Sequence, residues 1–210
     1  AEGTLLPETY LVERGAERSS VLRQMAQAQK DVLAKLWPGR APNLPFRTQR
    51  EALVLASIVE KETGIAGERP RVAAVFVNRL RKGMRLESRL RRALQAELLT
   101  VEFQPKFRLA DRRLIGAEVL SRWYDDELGS VPPTEFIAVA EESSLIIELG
   151  EWVIRAACRQ LRAWRDANIC LPLAVNVSGK ELLHGNPART LEQEARAAGI
   201  PPSLIEIEIT

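Results

Sequence analysis

Arg81-Lys82-Gly83-Met84-Arg85-Leu86-Glu87-Ser88-Arg89-Leu90 marks a change of character in the 210-residue chain. Before this stretch, apolar residues recur at helical spacing and the strongest motif centres on Glu60. After it, short β-type runs alternate with helical patterns, and Glu118, Asn176 and Glu208 fall late in predicted strands. The stretch reads as a seam between a mainly helical first part, residues 1–86, and an α/β second part, residues 87–210. Charge divides at the same place. Residues 1–86 carry 15 Lys and Arg against 9 Asp and Glu, and residues 87–210 carry 15 against 19. A basic first part suits an anionic polymer, and solvated helix faces account for the same charges.

A hydrophobic fraction of 46% is enough for a globular core. The longest apolar run, Leu53 to Val59, is far shorter than the roughly 20 residues of a membrane-spanning helix, and no signal-peptide pattern is seen. Cys158 and Cys170 lie too far apart for a Cys-x-x-Cys redox pair and are expected to be reduced core residues. His184 has no Cys or His at ligand spacing and is read as a surface residue in a polar loop.

Within residues 1–86, Val21, Leu22, Met25, Val32, Leu33, Leu36 and Trp37 predict a helix that Pro38-Gly39 stops. Thr48-Gln49-Arg50-Glu51 is a capping box, in which hydroxyl and carboxylate each satisfy a free backbone N–H, and Gly64 closes that second helix. Its apolar stripe is Ala52, Leu55, Ala56 and Val59, with Glu60 on the adjoining face. A carboxylate held against apolar surface loses hydration and stays protonated near neutral pH, as a general acid must. Glu60-Lys61-Glu62 also reads as the solvated last turn of a surface helix. A third helix is predicted from about Pro70 to Lys82, with Gly83 as its stop.

Taken together, Leu53 to Gly64, Glu68-Arg69, Val72 to Leu86 and the Glu2-Gly3-x-Leu5-x-Pro7-x-Thr9-Tyr10 opening closely resemble the endolytic murein transglycosylases, the YceG-like family. The resemblance implies that Glu60 is the acid/base. It would protonate a glycosidic oxygen of a peptidoglycan glycan strand and then help the muramyl 6-hydroxyl close a 1,6-anhydro ring. A single carboxyl group serves both steps, unlike the pair used in glycoside hydrolysis. The family pattern breaks off after Leu86, so an incomplete cleft is expected.

Residues 87–210 predict a helix to about Leu98, then strands at 99–105, 114–123, 171–178 and 204–210. Between them come helices from Glu135, after Gly150 to about Ala167, and near 190–198. Strands separated by helices imply parallel βα units. In the last strand Ile205, Ile207 and Ile209 alternate with Glu206, Glu208 and Thr210, giving one face to pack and one polar face. Glu118, Asn176 and Glu208 offer the oxygen donors that Mg²⁺ or Mn²⁺ prefers, and Arg122 shares a strand face with Glu118 and can grip phosphate. Polar strand ends kept soluble by charge are the alternative.

Phe103-Gln104-Pro105, Gly116 to Trp123, Phe136 to Glu142, Val175-Asn176-Val177-Ser178 and Glu206-Ile207-Glu208-Ile209-Thr210 look like the first half of an EAL domain, the cyclic-di-GMP phosphodiesterase family. The signature reads Glu118-Val119-Leu120 here. The resemblance implies metal ligation by Glu118, Asn176 and Glu208, a phosphate contact at Arg122 and a substrate contact at Gln104. The implied reaction is metal-assisted hydrolysis of cyclic-di-GMP to linear pGpG.

The combined expectation is a chimera of two truncated enzyme domains. A mainly helical fragment precedes a partial, half TIM-like barrel of about four parallel strands, where a closed barrel has eight. Both activities are expected to be lost or severely reduced. The parent families act on opposite faces of a membrane, so no compartment is assigned. No nucleic-acid polymer is expected as a partner. A non-catalytic cyclic-di-GMP-binding or structural module is the alternative, with an open strand edge available for homodimerisation.

Overall fold

A computed structural model describes residues 3–210. Glu2, which begins the opening motif quoted above, lies outside them. The chain forms two compact units, one up to Met84 and the other Arg85–Thr210, and the division falls inside a helix.

In the first unit α1 spans Arg18–Leu36 and ends in a 3₁₀ turn at Trp37–Gly39, where the Arg40 guanidinium stacks 4.3 Å from the Trp37 ring centre. Helix α2 spans Gln49–Glu62 and starts with the predicted capping box. Thr48 Oγ1 accepts from the Glu51 N–H, and the Glu51 carboxylate accepts from the Thr48 N–H. Those backbone bonds from Arg47 and Thr48 lower the Glu51 pKa. Helix α3 spans Arg69–Gln95. The predicted stop at Gly83 is therefore corrected: the helix runs through it and absorbs the expected separate helix from Glu87. A helical glycine costs only about 1 kcal/mol relative to alanine, and the flanking Arg81, Lys82, Met84, Arg85 and Leu86 are strong helix formers that outweigh it.

The second unit is built on a five-stranded sheet with the order β1-β2-β4-β5 and β3 beside β2. Strand β1 is Leu99–Phe107, β2 Leu114–Asp125, β3 Gly129–Val131, β4 Leu173–Val177 and β5 Ile205–Ile209. β2, β4 and β5 are mutually parallel, while β1 and β3 run antiparallel to β2. The expectation of four parallel strands thus holds for three. β1 and β2 are joined by a short turn around Asp111 with no crossover helix, and such a connection reverses the chain.

Helices α4 (Pro133–Glu142), α5 (Leu145–Asp166), α6 (Gly179–His184) and α7 (Pro187–Ala198) complete the unit. Helix α5 begins five residues before Gly150, which lies inside it, and His184 ends a short helix instead of sitting in a loop; its side chain is exposed. Alternation along β2 sends Ala117, Val119 and Trp123 into a core shared with Leu90, Phe136, Leu145, Ile154 and Leu161. The Trp123 and Phe136 rings meet edge to face at 5.9 Å. The other face of β2 carries Glu118, Leu120 and Arg122, all partly exposed. Arg89 of α3 is buried and fastened to the β2–β3 turn: its Nε lies 2.9 Å from both Asp125 carboxylate oxygens, and it also reaches Asp126 and Glu127.

Two further expectations are corrected. On β5 only Ile205 is buried, whereas Ile207 and Ile209 are exposed, so the isoleucine face packs at the start of the strand alone. Cys158 is buried in α5 as expected, its thiol pushed up to about 11 by burial and by the charge of Glu194, but Cys170 is exposed between α5 and β4.

Candidate functional site

Parallel pairing places Glu118, Asn176 and Glu208 on three neighbouring strands. Asn176 faces Glu208 in register, and Glu118 lies opposite Ala174, two residues lower. The Asn176 amide Nδ2 donates to Glu118 Oε1 at 2.6 Å. Glu208 Oε1 instead accepts from Lys106 Nζ on β1 at 2.9 Å, and Lys106 also reaches Glu206 Oε2 at 3.1 Å. These two carboxylates raise the Lys106 pKa against a smaller opposing effect of burial. Arg122 donates through Nε to Glu102 Oε2 at 2.8 Å and through Nη1 to the Ser121 carbonyl. Gln104 is exposed and pairs in register with Glu118.

A cleft of about 320 Å³ opens beside this face, and its walls include Arg122, Glu141, Asn176, Ser178, Glu181 and Thr210. Of the sequence-predicted residues, Arg122 and Asn176 line it, while Gln104, Glu118 and Glu208 do not. Sequence reasoning missed Glu181, which is buried at the foot of α6. Its carboxylate accepts from the Ser178 N–H at 2.8 Å, and its own N–H donates to Ser178 Oγ, a second capping box. Burial raises the Glu181 pKa and the charge of Glu141 adds to that, outweighing the two Ser178 hydrogen bonds that lower it. Gly150 makes room for this carboxyl group, because a Cβ there would stand 1.7 Å from Glu181 Oε1. The Ser178-x-x-Glu181 spacing after an apolar run was the legible signal.

The donor set fits a hard divalent cation in kind: two carboxylates and an amide oxygen are the ligands such ions take. Their present bonds are internal, with Glu118 on Asn176 and Glu208 on Lys106. No cluster of three or more His, Cys, Asp or Glu at metal-binding distance occurs among the described residues.

In the first unit Glu60 lies in the last turn of α2, 61% exposed, and its Oε1 is 2.8 Å from Arg69 Nη2. The apolar, desolvated setting considered for it is therefore not what surrounds it here. The neighbouring Thr63 is buried and donates to Glu68 Oε2 at 2.9 Å.

Residues 87–210 match the EAL domain family, and residues 1–90 match the YceG-like family. The EAL match spans more than half of the chain, and the protein belongs to the EAL domain family. The signaling protein YkoW of Bacillus subtilis (strain 168) is 35% identical over 121 residues, 58% of this chain and 15% of that protein. The cyclic di-GMP phosphodiesterase PdeR of Escherichia coli (strain K12) is 38% identical over 125 residues, 60% of this chain and 19% of that one. The solved PaMucR phosphodiesterase in complex with c-di-GMP superposes with a TM-score of 0.56 at 32% identity, over 59% of this chain and half of that one. The chain thus spans less than a fifth of these curated relatives. No helix among the described residues is long and apolar enough to cross a membrane.

Proposed function

We propose that residues 87–210 form a cyclic-di-GMP-binding module of the phosphodiesterase type, with the dinucleotide seated at the cleft beside the C-terminal ends of β2 and β4. The observation that carries this reading is the gathering of Glu118, Asn176 and Glu208 on adjacent parallel strands next to Arg122. The 32% identity to a chain solved with c-di-GMP supports it. Arg122 would grip a phosphate through its planar fork, leaving Glu102, and Gln104 would contact the ligand from β1. Glu118, Asn176 and Glu208 would hold Mg²⁺ or Mn²⁺, which when bound supplies Lewis acidity to a phosphodiester.

Each of the three donors is engaged within the protein, and a bound cation would displace those contacts. Lys106 holds Glu208, and the Asn176 amide presents nitrogen, not oxygen, to Glu118. The sheet is read as part of a curved barrel wall. In a flat sheet β1 and β5 would lie about 14 Å apart, yet Lys106 on one reaches Glu206 and Glu208 on the other. The outer edge of β5, with Ile207 and Ile209 exposed, would pair with a second copy, and size-exclusion chromatography tests that self-association.

Calorimetry of the full chain with cyclic-di-GMP, with and without Mn²⁺, tests the main reading, alongside chromatography for pGpG. Binding that weakens at least about tenfold in Arg122→Ala is expected, since loss of a charge-assisted contact is worth 1.5 kcal/mol or more. Absence of binding with Mn²⁺ present overturns it.

A second reading concerns the first unit. The YceG-like match over residues 1–90 supports Glu60 as an acid/base acting on peptidoglycan glycan strands, which would make the chain a chimera of two enzyme-derived modules. The exposed Glu60–Arg69 pair lacks the desolvation a general acid needs. Anhydro-muramyl ends that appear with the protein and vanish with Glu60→Gln would establish the activity, and their absence would restrict this unit to a structural role.

A further inference from the structure

On β1 the side chains of Glu102, Gln104 and Lys106 share one face by the two-residue period of a strand. The strand thus offers a carboxylate to Arg122 and an ammonium to Glu208. The second contact has the more specific consequence. Lys106 is about two-thirds covered and lies within hydrogen-bond distance of two carboxylates, Glu206 and Glu208, that come from a strand about 100 positions away in sequence. A lysine ammonium is a donor-only point charge. A divalent cation needs the same Glu208 oxygens, so both cannot use them fully at once.

We propose that Lys106 is a resident cation that competes with the divalent ion for Glu208 and so sets the metal affinity of this module. The inference rests on the reading of Glu118, Asn176 and Glu208 as a cation site. Metal entry requires the Lys106 ammonium to leave Glu208 and fall back on Glu206 or solvent. Removing the ammonium frees both carboxylates, and Glu206 then adds negative charge beside the site. Even in the low-dielectric limit an ammonium close to the ion repels it, and partial exposure tempers the effect.

The test is Mn²⁺ binding to the full chain, without nucleotide, followed by the electron paramagnetic resonance signal of free Mn²⁺ at low ionic strength. Lys106→Met and Lys106→Gln are each expected to tighten Mn²⁺ binding about five- to tenfold over the parent chain, the equivalent of one released ion pair or two. Adding Glu208→Gln should abolish that gain. Circular dichroism checks folding, and if one Lys106 variant fails to fold the other decides. Should both bind Mn²⁺ no more tightly than the parent while Glu208→Gln weakens binding, Lys106 merely ties β1 to β5; the proposal falls and the cation site stands. Should neither the parent nor any variant bind Mn²⁺, the cation site fails and takes the proposal with it.

Discussion

The unit up to Met84 and the unit from Arg85 draw on the same kinds of residue and bury them very differently. Among the described residues of the first, Val59 is the sole buried apolar side chain, while Leu11, Leu36, Val54 and Ile65 stand largely in solvent. In the second, Leu90, Phe136, Leu145, Ile154, Leu161, Leu173 and Val175 are almost completely enclosed. Helical stripes become a core only when another layer covers them, and in the second unit the sheet supplies that layer. The first unit shows local devices instead, the Thr48–Glu51 box and the Arg40–Trp37 stack, with one longer-range bond from Arg81 to the Asn43 carbonyl at 3.1 Å.

The contrast breaks most visibly at Phe136. Truncating it to alanine should cost about 3–5 kcal/mol, whereas Ile58→Ala in the first unit should cost less than about 0.5 kcal/mol. Urea unfolding followed by tryptophan emission measures both, and comparable losses would erase the distinction. Next comes Gly150→Ala, where the new methyl group collides with Glu181. The expected loss is about 1–3 kcal/mol despite the gain in helix propensity, and a stabilised variant would mean that Glu181 can leave its site.

Acid titration sharpens the comparison within the second unit. Burial raises the Asp125 pKa, but the Leu128 and Glu127 N–H groups and Arg89 outweigh it and the net shift is downward. Its stabilising contribution is therefore complete above about pH 4 and lost as pH falls through the folded value. Glu181 shifts upward, so the folded state takes up its proton first and loses stability as pH rises above about 4.5. Melting profiles of Asp125→Asn and Glu181→Gln should flatten on opposite sides of that point; two identical profiles would contradict the assignment.

Smaller effects belong to the exposed ion pairs. Glu102→Gln should leave stability within about 1 kcal/mol and raise cyclic-di-GMP affinity about two- to fivefold by releasing Arg122; calorimetry showing weaker binding would instead make Glu102 part of the ligand site. Smallest is Gly83→Ala. With open space around its Cβ position it should stabilise by up to about 1 kcal/mol, as seen in thermal melts.

Local rules were readable in the residues, and long-range company was not. The Thr48 capping box and the Pro38-Gly39 stop are set by neighbours in sequence and appear as expected, whereas the packed face read from the alternation of β5 needed a covering layer that sequence does not reveal. Gly83 misled because one glycine cannot outvote a run of good helix formers. The reversal of β1 depended on which strands pair, and that is decided by packing. For the candidate site, the strand positions of Glu118, Asn176, Arg122 and Glu208 were legible. The claims of Lys106 on Glu208 and of Glu102 on Arg122 were not, since each joins residues 20 or more positions apart.

The two free thiols turn the second unit into its own reporter. Cys170 is open to solvent, so a maleimide dye would take it at once. Cys158 is shut inside α5 with a thiol pKa of about 11, and modification there must wait for the helix to part from the sheet. The lag between the first and second label is a clock for transient opening, read without adding any foreign group to the chain.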